Sequence, residues 1–292
     1  MRGIFHNNLL KDYYTITKPG IIYGNAITVV AGFLLASKGN TDWVLLVATL
    51  VGLSLVVASG CVFNNYIDRD IDLLMERTKN RVMAEGRISA RNVLVYANVL
   101  GLIGLSLLFF YTNFLAVAAA LVGLFVYVVV YSLWFKRTST HGTIIGSISG
   151  AMPPVVGYLA VTGSIDIGAV ILFFILALWQ MPHSFAIAIY RLEDYTKAGI
   201  PVLPVKKGIY ITKVQTLIYV ALFVLATLAL PVFGYAGYAY FYTMALLGLG
   251  WLALSAKGFW IKPEGDKRWA RNMFIYSIII LTAFCIFVTF RA

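Results

Sequence analysis

The sequence predicts an all-α polytopic membrane protein with nine transmembrane helices. Three observations carry that reading. Of 292 residues, 61% are hydrophobic and only 12% are charged, whereas soluble domains are usually near 25% charged. Nearly every long segment is an apolar run of about 20 residues, the length that crosses a bilayer as a helix. With the N-terminus inside and nine alternating spans, every Lys and Arg except Lys38 and Arg291 falls on the inside, out of 23 in the chain. That asymmetry follows the positive-inside rule. It also accounts for the net charge of +11 without nucleic acid.

The elements follow in chain order. Residues 1–18 are polar, and His6 reads as a surface residue. Pro19 opens the first span, because proline suits the first helical turn, and the span runs to about Ser37. Span two runs from about Trp43 through Phe63 into an acidic motif. A charged connection over 73–92 carries Arg77, Lys79, Arg81, Arg87 and Arg91. Spans three and four cover about Val93–Phe110 and Phe114–Phe135, and Lys136 and Arg137 end the latter. Span five, about His141–Ala160, contains Pro153 and Pro154. Span six, about Ile167–Tyr190, contains Pro182. Such prolines predict surrounding protein rather than lipid. A second charged connection covers 191–213. Spans seven to nine cover about Val214–Leu230, Tyr235–Ser255 and Trp269–Phe290. Residues 1–292 read as a single integral membrane domain, with no signal peptide or transit segment. Cys61 and Cys285 both lie in apolar runs and read as core residues rather than a disulfide framework.

The chemistry concentrates at Asn64–Asp72, NNYIDRDID. If helix continues through it, Asn64, Asp68 and Asp72 share one face in steps of about 6 Å. Asp70 sits about 200° around from Asp68 and faces elsewhere. Like charges at that spacing repel, more so near a membrane. A divalent metal holding a phosphorylated substrate would offset them, since Mg²⁺ takes carboxylate oxygens together with substrate phosphates. A solvated acidic loop is the alternative. Span six delivers Arg191, Glu193, Asp194 and Tyr195 to the same side. Acidic groups for metal and basic groups for phosphate therefore meet at one membrane border. The basic loops also serve orientation and anionic lipid, the reading preferred for Arg87, Arg91, Lys206 and Lys207.

Two stretches carry a resemblance. NNYIDRDIDLLMERTKNR resembles the first signature of the UbiA-type intramembrane prenyltransferases, most closely their heme O-forming branch. PHSFAIAIYRLEDYTKAGIPVLPV, from Pro182 to Val205, is similar to that branch's second signature. The resemblance extends over essentially the whole chain. It implies the UbiA-type fold, nine membrane helices around a central cavity. It also implies farnesyl transfer from farnesyl diphosphate to a vinyl group of heme B with addition of water. The products are heme O and diphosphate. Heme B is then a substrate and Mg²⁺ the cofactor. Asp68, Asp72, Asp194 and Glu193 are the implied metal ligands. Asn64, Lys79 and Arg191 join the aspartates at the reacting diphosphate. Arg77, Arg81, His183, Asn25 and Tyr195 line the substrate sites. The family's second motif has two aspartates four residues apart. This chain has one acidic pair flanked by Arg191 and Tyr195, matching the DY-type motif of the heme branch. Many relatives have proline where Val82 stands, which implies a less stiff loop. The resemblance further implies a bacterial inner membrane, cytoplasmic motif loops and an outside C-terminus. Heme O would pass to a heme A synthase or a terminal oxidase assembly.

Further residues keep two readings each. His183, in an apolar span, either positions the porphyrin or its iron, or packs as a hydrogen-bonded core histidine. His141 either meets a heme propionate or is an interfacial histidine. Trp179 and Tyr158 either wall an isoprenoid tail or fill the core. A quinone-precursor prenyltransferase and a membrane transporter are the competing functions. The first lacks its second aspartate pair here. The second is disfavoured because the acidic positions cluster at one membrane face rather than at midplane.

Overall fold

The computed structural model describes residues 9–290. The readings of Arg2, His6 and Arg291 fall outside them. A short helix α1 (Leu9–Ile16) precedes α2 (Pro19–Ser37), α3 (Trp43–Ile67) and the single turn α4 (Arg69–Asp72). Then come α5 (Ala90–Tyr111), α6 (Phe114–Phe125), a π-helical segment (Val126–Phe135) and α7 (Lys136–Thr138). The chain continues with α8 (Gly142–Thr162), α9 (Ile167–Tyr190), α10 (Leu192–Lys197) and α11 (Leu203–Val232). It ends with α12 (Tyr238–Lys257) and α13 (Asp266–Phe287). Among the described residues, nine helices are long and apolar enough to cross a membrane.

Local chemistry fixes many of the ends. Asp42, Ser89, Asn113 and Asp166 each accept a bond from the backbone N–H three residues on, which satisfies a donor that the helix leaves open. Gly163 ends α8 at φ 60°, a conformation glycine adopts without a Cβ penalty. Spans one and six have the expected boundaries. Span seven does not: it begins at Leu203, ahead of the expected Val214, and Gly208 (φ 81°, ψ 166°) breaks it. The charged stretch 203–213 is thereby helical. Its Lys213 is buried against Asp266 of α13 at 2.5 Å. The pair supplies the counter-charge that lets a lysine enter a helix contact.

Close helix crossings rest on small residues. An added Cβ at Gly104 of α5 would lie 2.6 Å from the Gly52 carbonyl of α3. Gly32 of α2 and Gly157 of α8 likewise face backbone, at Pro154 and Val29. Such positions let membrane helices approach closely where lipid gives no hydrophobic drive. Pro153, Pro154 and Pro182 are all buried, as expected for proline surrounded by protein.

The charged connection after α4 is more ordered than its charge suggests. Val82, Met83 and Ile88 belong to a loop whose apolar side chains pack with Ile16, Val62, Val93 and Ala97 in a second core. Val82, which stands where many relatives have proline, is buried in this core. Arg87, read as a lipid contact, pairs with Asp12 of α1 at 2.5 Å and Glu85 at 2.9 Å.

Candidate active site

A cavity of about 780 Å³ opens between α2, α3, α8, α9, α13 and the π segment. The first acidic motif stands at its mouth. The apolar depth reaches Leu53, Pro153 and Cys285.

The motif takes the expected form. α3 ends at Ile67, yet Asp68 N–H bonds Asn64 O at 2.9 Å and Asp72 N–H bonds Asp68 O at 2.8 Å. The ladder therefore runs through the break, and Asn64, Asp68 and Asp72 all line the cavity. Both aspartates are only 1% exposed. Burying two carboxylates demands compensating charge. Lys136 donates to Asp68 Oδ2, and Arg81 NH1 donates to both Asp72 oxygens at 2.9 Å. Asp68 Oδ1 is buried without a hydrogen-bond partner, with Arg137 4.0 Å away. Asp70 faces elsewhere, as expected. Arg137 grips it through NH1 and NH2, each at 2.7 Å, and also reaches Ile67 O at 2.6 Å. That guanidinium holds the Asp70 carboxyl well below the usual carboxylate range.

Asn64 is held at both ends. Lys18 Nζ donates to its Oδ1 at 2.5 Å, and its Nδ2 donates to Ser132 Oγ at 2.9 Å. Ser132 in turn donates to Tyr127 O, five residues back, at 2.8 Å. That spacing is the π-helical repeat, and π-helical turns recur at functional sites. Burial lowers the Lys18 ammonium to about 8. Lys18, Lys136 and Ser132 were not read as site residues from the sequence. The one available signal was the Lys136–Arg137 pair closing a span. The π segment that aims it leaves no trace in hydrophobic periodicity.

The other candidates divide. Arg77, Arg81, Asn25, Tyr195, His183 and Trp179 line the cavity. Burial raises the Tyr195 phenol. Lys79 does not line it: exposed, it pairs with Glu76 at 2.6 Å. Arg191 lies outside the cavity wall, with its guanidinium 4.9 Å from the Tyr190 ring centroid. Glu193 is exposed and Asp194 half-buried. No three His, Cys, Asp or Glu side chains converge on one point among the described residues. The four-carboxylate set of Asp68, Asp72, Asp194 and Glu193 is thus not assembled, because α10 carries its acids outside the mouth. Of the two readings of Tyr158, the core one fits: it is buried and its hydroxyl donates to Asp166 at 2.8 Å. His141 turns to Ser139 at 3.1 Å, outside the lining.

The comparisons agree with this architecture. The model of the UbiA prenyltransferase family matches residues 25–278. The chain belongs to the UbiA prenyltransferase family. Within it, the chain is 55% identical over 275 residues to a protoheme IX farnesyltransferase of Photorhabdus laumondii. That match covers 94% of this chain and 93% of the relative. A protoheme IX farnesyltransferase of Yersinia enterocolitica is 56% identical over the same share of this chain and 92% of its own. Among solved structures, a digeranylgeranylglyceryl phosphate synthase superposes with a TM-score of 0.80 at 21% identity, covering 96% of this chain and 98% of its own. The UbiA fold of the family is therefore shared well beyond sequence likeness.

Proposed function

We propose that this membrane enzyme transfers the farnesyl group of farnesyl diphosphate to a vinyl group of heme B, with addition of water. The products are heme O and diphosphate. The observation that carries the reading is the near-full-length likeness to relatives named protoheme IX farnesyltransferase. The cavity supports it: a charged mouth opens on an apolar interior large enough for an isoprenoid tail. The proposed setting is a bacterial inner membrane, with the motif loops cytoplasmic and the C-terminus outside.

The mouth also fits Mg²⁺. A relative of known structure from Archaeoglobus fulgidus is bound to GPP and Mg²⁺. Here the donors are hard oxygens, two carboxylates and the Asn64 amide, and Asp68 Oδ1 is buried and unpartnered. Mg²⁺ is commonly held by one or two carboxylates plus substrate phosphates. We assign Asp68 and Asp72 to that role, with Asp194 and Glu193 as outer acids. When bound, the ion neutralises diphosphate oxygens and favours their departure.

The chain's own groups do the rest. Arg77, Arg81, Lys136 and Lys18 surround the mouth and stabilise the charge that grows on the leaving diphosphate. The allylic C–O bond breaks with its electron pair on that oxygen. The apolar walls keep water from the farnesyl cation. A vinyl carbon of heme B forms the new C–C bond, and water captures the resulting cation, releasing one proton. His183 positions the porphyrin. Mass spectrometry of the purified protein with heme B, farnesyl diphosphate and Mg²⁺ tests this. Farnesylated heme carrying one added water is expected. Prenylated hydroxybenzoate with unmodified heme would replace heme as the acceptor.

A further inference from the structure

Two contacts of Ser277 bear on the tautomer of His183. Ser277 Oγ donates to the Phe274 carbonyl at 2.6 Å. A hydroxyl has one hydrogen. With that hydrogen on the Phe274 carbonyl, the 2.7 Å contact between Ser277 Oγ and His183 Nδ1 takes its proton from the imidazole. In that arrangement Nδ1 carries the proton and Nε2 of the neutral ring carries a lone pair.

The ring is also held in place. Trp179, one turn earlier on α9, stacks on it at 4.6 Å and 26°. Phe274 of α13 packs at 4.9 Å. Trp179 Nε1 donates to the Ser277 carbonyl at 2.8 Å. One serine thus anchors both aromatic residues, through its hydroxyl and its backbone. Among the described residues no protein group bonds Nε2, and His183 lines the cavity. An imidazolium here has no carboxylate partner among the described salt bridges.

We propose that Ser277 is a positioning residue that sets the Nδ1–H tautomer of His183. Nε2 then offers its lone pair to the iron of a metalloporphyrin in the cavity. This rests on the reading that heme B is the acceptor. Metal-ligating histidines usually donate their second nitrogen to an oxygen, which fixes the tautomer and raises ligand basicity. The same device here would hold a porphyrin by its iron while leaving its vinyl edge free.

The test uses the full chain labelled with ¹⁵N-histidine. The chain has 3 histidines, and His183→Ala assigns the signal by its loss. Without heme, a protonated Nδ1 and bare Nε2 are expected in the parent protein and in Ser277→Thr. A mixture of tautomers is expected in Ser277→Ala. Titration with heme B then reads iron–imidazole ligation by resonance Raman and electron paramagnetic resonance. The signature should be present in the parent and Ser277→Thr and lost in His183→Ala. Heme affinity should fall about tenfold in Ser277→Ala. A protonated Nε2 in the parent overturns the proposal, as does unchanged ligation in Ser277→Ala. Farnesylated heme without an iron–histidine signal overturns the ligation and leaves the acceptor standing. A parent protein that binds no heme B removes both.

Discussion

The two acidic motifs share a membrane face and differ in everything else. At the first, each carboxylate has a cation from the chain: Lys136 for Asp68, Arg81 for Asp72 and Arg137 for Asp70. At the second, Glu193 and Asp194 form no salt bridge among the described residues, and neither lines the cavity. For Asp68 and Asp72 the difference follows from burial: two carboxylates a turn apart inside a helix bundle must be neutralised, whereas exposed Glu193 and half-buried Asp194 keep access to solvent. The first motif is therefore a preset charge balance that an arriving metal–diphosphate would exchange partner for partner. Lys136 and Arg81 then become available to phosphate oxygens without leaving the mouth. The second motif has no such balance to exchange.

The largest expected effect separates the motifs by turnover. Asp68→Asn and Asp72→Asn should each lower product formation by at least about 100-fold, the scale of losing one transition-state contact. Asp194→Asn should cost about tenfold or less. Initial rates across a Mg²⁺ titration measure both. Equal losses at the two motifs would break the comparison.

A stability measurement sharpens it. Lys136→Met leaves Asp68 buried and charged, at a cost of about 3 kcal/mol. Adding Asp68→Asn to the same chain should recover most of that. Mg²⁺ should also stabilise Lys136→Met more than the parent, because a ligand that binds the folded state raises its stability. Thermal unfolding in detergent reads all three. A simple sum of the two single effects would mean that the pair is not coupled.

How much of this was legible in the sequence depends on what sets each feature. The spans were legible because hydropathy reports them directly, except that the start of span seven lay hidden in the charged stretch 203–213. The face shared by Asn64, Asp68 and Asp72 was legible because a four-residue spacing survives the small break at Asp68. Lys136 was not, since ten π-helical residues precede it and no spacing rule announces them. Ser277 was also silent: a serine in an apolar span gains meaning only when α13 places it against His183. Lys79 misled for the opposite reason. It follows the motif closely in sequence, but the turn at 76–79 points it to Glu76 and solvent.

That last point yields a smaller effect. Arg77→Ala should raise the KM for farnesyl diphosphate by about tenfold, one phosphate contact being worth somewhat over 1 kcal/mol. Lys79→Ala should change it less than about twofold, as for an exposed ion pair. The dependence on heme B should move little in either variant. If Lys79→Ala had the larger effect on diphosphate use, the loop would have to close over the mouth during turnover.

The smallest effect concerns the pair that faces away from the cavity. Arg137 lowers the Asp70 carboxyl through two hydrogen bonds. A carboxyl whose value is depressed by folding adds stability above its unfolded value, near about 3.9, and loses it as pH falls through the folded one. The Asp70 side chain is exposed, so solvent screening limits the contribution to less than about 1 kcal/mol. Asp70→Asn should therefore unfold slightly more easily than the parent at neutral pH. The gap should begin to narrow as pH falls below about 4, where the carboxyl of the unfolded chain protonates, and should close only well below that, as pH passes through the depressed folded value. Guanidinium N–H to Ile67 O, at 2.6 Å, remains in the variant and keeps Arg137 beside the motif. Turnover at neutral pH should consequently stay within about threefold of the parent, a small fraction of the loss expected at Asp68 or Asp72. A loss comparable to Asp68→Asn would place Asp70 in the balance of the mouth and erase the distinction between the two faces of the motif.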